Sequence, residues 1–167
     1  MSVKGILETT QFLTFTLDQE VFAVDIARVR EVLEYTSVTK VPRTPEFMSG
    51  VINLRGSVVP VVDLRVKFGM EATAQTVDTC IIIIEIENGG EKTVLGALAD
   101  SVKEVMSLEP ENIENAPKLG TSLRTDFIRG MGKEGNTFII ILDTDRVFSA
   151  EELSSMTDGP DETSSAA

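Results

Sequence analysis

The chain repeats itself, imperfectly, and this limits its possible folds more than any other feature. Val29-Arg30-Glu31-Val32-Leu33 returns 73 residues later as Val102-Lys103-Glu104-Val105-Met106. The stretches 21–24 and 94–97, just upstream, keep the same register. Phe47-Met48-Ser49-Gly50-Val51 returns 80 residues later as Phe127-Ile128-Arg129-Gly130-Met131. At that same spacing Val59-Pro60-Val61-Val62-Asp63 becomes Ile139-Ile140-Ile141-Leu142-Asp143. Three blocks in one order, anchored by Glu, Gly and Asp, describe a duplicated unit.

Each copy reads as about five short strands with little helix. Residues 11–17 and 21–26 flank a polar Asp18-Gln19-Glu20 turn and predict a hairpin. Asn88-Gly89-Gly90 supplies the second hairpin turn, because Asn and Gly tolerate positive φ. Pro45 to Ser49 predicts one helical turn closed by Gly50. Residues 65–69 predict a short helix, and Ser149-Ala150-Glu151-Glu152 reads as a capping box opening a C-terminal helix. Five strands at such spacing suggest a small closed barrel without exposed edges. A unit of about 65 residues has a marginal core alone, so two barrels are expected to pack together with a cleft between them.

The side-chain inventory argues against catalysis. The chain has no histidine, which removes the commonest general base and metal ligand. Cys80 is the single cysteine, so neither an intramolecular disulfide nor a cysteine-based zinc site can form, and it reads as a small buried hydrophobe. Gly130-Met131-Gly132-Lys133 lacks the first glycine and the Ser or Thr of a phosphate loop. No cofactor, metal or catalytic residue is expected. The net charge of −12, from 15 bases and 27 acids, disfavours a nucleic-acid partner. No apolar run approaches the ~20 residues of a membrane span, so direct membrane insertion is not expected and the cytoplasm is the expected compartment.

Binding residues are sought where the copies differ. Arg55-Gly56 aligns with Gly135-Asn136, which makes the turn arginine particular to the first copy. Glu31 shares a strand face with Val29 and Leu33, and an ion pair with Arg55 is expected.

The stretch from Phe47 through Gly50, Asn53, Leu54, Arg55 and Gly56 to Val59-Pro60-Val61-Val62-Asp63-Leu64-Arg65 resembles the signature of the CheW-type chemotaxis adaptors. So does Val24-Asp25-Ile26 with Val29-Arg30-Glu31-Val32. The resemblance implies a mainly β fold of two intertwined SH3-like five-stranded β-barrels with a short C-terminal helix. It covers a single domain at 11–148, with the first barrel near 19–83 and the second near 11–18 plus 84–148. A short helix at 149–156 and a disordered acidic tail at 157–167 are expected to follow. The resemblance further implies a non-catalytic adaptor coupling methyl-accepting chemoreceptors to the histidine kinase CheA, recruited to arrays under the inner membrane. The receptor's hairpin tip would dock between the barrels, on Val29, Glu31, Gly50 and Arg55. The regulatory domain of CheA would meet the loop at 113–119 through Ile113 and Leu119, where Glu114 and Leu119 depart from the family's basic and aromatic residues.

Overall fold

The computed structural model describes residues 8–115 and 127–157. The first repeat supplies strands β1 (Thr10–Leu17), β2 (Glu20–Asp25), β3 (Val29–Glu34), β4 (Met48–Leu54) and β5 (Ser57–Asp63), then a short helix α1 (Leu64–Lys67). The second supplies β6 (Cys80–Asn88), β7 (Glu91–Ala99), β8 (Ser101–Leu108), β9 (Ile113–Glu114), β10 (Ile128–Glu134), β11 (Thr137–Leu142) and a terminal helix α2 (Ala150–Thr157).

Two curled sheets form, in the orders β8-β1-β2-β11-β10-β9 and β3-β6-β7-β5-β4. The hairpin opening each repeat pairs with the later strands of the other repeat. The repeats are therefore intertwined by an exchange of hairpins. This divides the chain differently from the expected barrel limits of 19–83 against 11–18 plus 84–148. All of β2 joins the sheet of β1, and β7 with the whole of β6 joins the sheet of β3.

The pairing follows the sequence offsets closely. In one sheet Val61 pairs with Gly96 across the parallel β5–β7 contact. In the other, Ile141 pairs with Ala23 across β11–β2. These are the same positions shifted by 80 and 73 residues. The bulges also recur. Ser49 is skipped between Met48 and Gly50, as Arg129 is between Ile128 and Gly130. The Asp63 N–H donates to the Phe47 carbonyl at 2.7 Å, and the Asp143 N–H to the Phe127 carbonyl at 2.7 Å. The repeated Asp itself ends each β-strand by accepting from the N–H two residues on, at Arg65 and Asp145. That bond explains why an acid recurs at this position.

Three apolar cores result. Ile52, Val59, Val61, Ile81, Ile83 and Leu98 fill one barrel. Phe12, Ala23, Leu108, Ile113, Ile139 and Ile141 fill the other. The largest lies between the sheets and takes Phe15, Leu17, Phe22, Ile82, Ile84 and Leu142, among others. Alternate residues of a strand face opposite ways, so Ile81 and Ile83 serve a barrel while Ile82 and Ile84 serve the shared core. This two-sided burial accounts for the unbroken isoleucine run of β6. Phe138, at the start of β11, is 49% exposed.

The helical turn expected at Pro45 to Ser49 is absent. The Met48 N–H closes a tight turn onto the Pro45 carbonyl at 2.9 Å, and β4 begins at Met48. Gly50 therefore lies inside a strand instead of capping a helix. The capping box at Ser149 forms as expected. The Ser149 N–H donates to Glu152 at 2.9 Å and the Glu152 N–H to the Ser149 hydroxyl at 3.1 Å. Leu153 and Met156 then bury α2 in the shared core.

Lys67 of α1 ties α2 to the body. Its ammonium reaches Glu152 at 2.7 Å and lies over the rings of Phe47 and Phe148, 5.0 and 5.6 Å from their centres. Burial alone would raise the Glu152 pKa, but the bonds from Lys67 and Ser149 outweigh it and hold the carboxyl below its ordinary value. A depressed pKa contributes stability above the unfolded-state value, and that contribution is lost as pH falls through the folded-state value. Glu152→Gln is thus expected to cost about 1–2 kcal/mol at neutral pH. Thermal melts followed by circular dichroism should show the gap from wild type closing in acid, below the ordinary glutamate pKa near 4.5.

Candidate functional site

The five-stranded sheet closes into a barrel by bringing its edge strands β3 and β4 together. The segment after β3 bridges to β4, with Thr39 and Val51 exchanging backbone hydrogen bonds of 2.9 and 2.8 Å. The second barrel closes at the corresponding place, where β9 pairs Glu114 with Met131 and Ile113 with Gly132. Those two pairs make β9 a sixth strand, whereas Thr39 makes only a bridge.

Closure sets the geometry at Gly50. Its φ is +151°. A Cβ there would lie 2.3 Å from the Thr39 carbonyl oxygen and 2.8 Å from its carbon. Only glycine lets the closing segment approach this strand.

The same closure brings Glu31 on β3 to Arg55 in the turn after β4, and the two form the expected ion pair. Arg55 is 70% exposed at its side chain and Glu31 29%. Arg30, skipped by the β3 bulge, turns instead to Glu85 at 3.1 Å. Its bond, together with Lys92, holds the Glu85 carboxyl below its usual range despite partial desolvation. Val29 is half-buried and packs against the core between the barrels. Val29, Glu31, Gly50 and Arg55 thus all belong to the joined β3 and β4 edges of one barrel.

Ile113 and Leu119 are not brought into that group. Ile113 is 4% exposed and its side chain fills the second barrel. Its neighbour Glu114 is exposed and pairs with Lys133 at 2.7 Å. Leu119 and the stretch 158–167 lie outside the described residues. Cys80 is half-buried, not fully buried, because it begins β6 at the margin of the sheet. Burial raises its thiol pKa, the bond with the Val102 backbone lowers it, and the charges of Asp78 and Glu34 raise it further. The net upward shift keeps the thiol protonated.

A CheW-like domain matches residues 11–152, most of the chain. The chain belongs to the CheW-like family. Among CheW-like proteins, chemotaxis protein CheW of Klebsiella aerogenes is 38% identical over 143 residues, covering 86% of this chain and 84% of that protein. CheW of Rhizobium meliloti is 32% identical, covering 85% and 89%. The crystal structure of a scaffolding CheW from Thermoanaerobacter tengcongensis superposes with a TM-score of 0.74 at 37% identity, covering 86% and 94%. The CheW-like fold here is the mainly β, two-sheet architecture, and no helix among the described residues is long and apolar enough to cross a membrane.

Arg55 and Glu31 stand out in the sequence, whereas the backbone conformation of Arg43 does not. That residue has φ +64°, directly after Pro42. Proline before a positive-φ corner is the arrangement of a type II turn, which normally places Gly or Asn at the second corner. The Pro42-Arg43 pair was the available signal.

Proposed function

We propose that this chain is a non-catalytic adaptor that couples methyl-accepting chemoreceptors to the histidine kinase CheA. In this reading it works in the cytoplasm at inner-membrane receptor arrays. The observation that carries the reading is the solvent-facing Glu31–Arg55 pair at the closure of a CheW-like barrel, beside half-buried Val29 and buried Gly50. Such a set suits a helical partner, because apolar surface supplies contact area and a few polar anchors fix orientation. Arg55 and Glu31 are the anchors, Val29 gives apolar surface, and Gly50 keeps the backbone path low. The kinase contact is assigned to the other barrel, near Ile113 and Leu119. With Ile113 turned inward, its exposed neighbour Glu114 is the described side chain that offers a contact there. Separate faces let one molecule hold both partners at once.

The test is co-sedimentation with receptor-containing membranes and CheA. Arg55→Glu sets two acids side by side at an exposed site, so the stability cost is expected to stay within about 1 kcal/mol. Receptor affinity is expected to fall about tenfold or more, since a partner acid would then meet a like charge. Wild-type coupling left intact by this substitution would move the receptor site elsewhere. Wild-type protein that sediments with neither partner would end the adaptor reading.

A further inference from the structure

The chain carries nearly twice as many acids as bases, so a surface base should readily find a partner. Nine of the twelve Lys and Arg residues among the described residues do so. Lys40, Arg43 and Lys103 form no ion pair or side-chain hydrogen bond among the described residues. Lys103 stands alone on β8, at the bulge between Val102 and Glu104. Lys40 and Arg43 stand together, both exposed, in the segment that closes the first barrel onto β4. Glu46 lies only three residues beyond Arg43 and does not pair with it.

Backbone conformation points the same way. Four non-glycine residues among those described have positive φ, and two of them are Arg43 at +64° and Arg55 at +51°. A side chain in that region is disfavoured by contact of its Cβ with the backbone, and glycine or asparagine would relieve it. Both corners therefore hold an arginine where the fold alone favours another residue. Strain kept at a surface position points to a function for the side chain.

The register orders these bases along one edge. Thr39 lies opposite Val51, which sets Lys40 beside Gly50 and Arg43 toward the start of β4, while Arg55 lies just past its end. At ~3.3 Å per residue, a seven-residue strand spans roughly 23 Å. In the other barrel the closing residue is Glu114, paired with Lys133. Among the described residues, unpaired bases in a closing segment are thus seen in the first barrel.

We infer that Lys40 and Arg43 extend the Arg55 corner into a cationic strip along β4 that docks an acidic face of the chemoreceptor's helical hairpin. This rests on the receptor reading proposed above and specifies the partner's chemistry. The strip contributes by charge complementarity, so its share of the affinity weakens as salt rises.

The test is co-sedimentation with receptor-containing membranes across a salt series, with receptor-free vesicles of the same lipids alongside. Lys40→Glu with Arg43→Glu is expected to weaken receptor binding about tenfold at ~0.1 M salt and to flatten the salt dependence. Lys92→Glu, a reversal on β7, should change binding less than about twofold. Arg43→Gly separates binding from folding. It should weaken binding while leaving the melting temperature unchanged or raised, because it relieves the positive φ. Receptor binding by wild type that the double variant leaves unaltered in strength and salt slope overturns the strip alone. Equal binding to receptor-free vesicles, lost in the double variant, overturns it in favour of a lipid surface. Wild type that binds no receptor overturns the receptor reading and the strip with it.

Discussion

Cut between Ala74 and Gln75, the chain should yield two fragments that do not fold separately and that fold when mixed. The cut falls in an exposed loop between α1 and β6, near Val77, which is 99% exposed. The expectation follows from the hairpin exchange. In the N-terminal fragment β1 and β2 still pair, as do β4 and β5, but β3 loses its partner β6. No strand of the first hairpin pairs with β3, β4 or β5 among the described residues. Two separate hairpins and a lone strand are marginal in water. The C-terminal fragment keeps β6–β7 and β9–β10–β11, while β8 loses β1 and β11 loses β2. Every core is also divided. Phe12 and Ala23 leave the second barrel, Ile81, Ile83 and Leu98 leave the first, and the shared core loses one wall. Circular dichroism should show no cooperative melt for either fragment, and a cooperative melt at equimolar mixing that depends on concentration. A cooperative transition in one isolated fragment would mean that its strands pair within their own repeat.

How far the sequence reveals this architecture depends on the kind of signal. Duplication is visible because bulges, the Asx turns at Asp63 and Asp143, and the glycines must recur wherever the same backbone path is built twice. The exchange of hairpins is not visible. Pairing β1–β2 with β8 and β11, or with β3 and β5, satisfies the same hydrophobic pattern, and the pattern does not say which partner is chosen. The boundary drawn at residue 83 failed for this reason. The helical turn at Pro45 to Ser49 failed because proline and glycine punctuate turns and strands as well as helices. A bulged strand needing positive φ at Gly50 leaves the same local signature. The Glu31–Arg55 pair was legible because one residue lies on a patterned strand and the other breaks the repeat. Lys67 was not legible, since its partners Glu152, Phe47 and Phe148 are remote in sequence.

Gly50→Ala should be among the most destabilising single substitutions in the protein, costing about 3 kcal/mol or more. Two terms act together. The residue's φ of +151° is one that L side chains rarely adopt, and the new methyl would meet the backbone of Thr39 at 2.3 Å. A flexible side chain could move aside, but this neighbour is the Thr39 carbonyl, which accepts from the Val51 N–H at 2.8 Å while the Thr39 N–H donates to the Val51 carbonyl at 2.9 Å. The contrast is Gly132→Ala in the other barrel, where the methyl meets the end of the Leu108 side chain at 2.7 Å. A rotamer change relieves that contact, so about 1–2 kcal/mol is expected there. Chemical denaturation of both variants at neutral pH checks the order, and a Gly50→Ala midpoint equal to that of Gly132→Ala would refute it. The outcome also bears on how a loss of receptor coupling at Gly50 is interpreted. Opening the bridge would release the segment carrying Lys40 and Arg43 and loosen β3 against β4. Glu31 and Arg55 would then part without either being altered. Lost coupling in Gly50→Ala therefore reports on barrel closure, whereas lost coupling in Arg55→Glu, with stability retained, reports on the contacting surface itself.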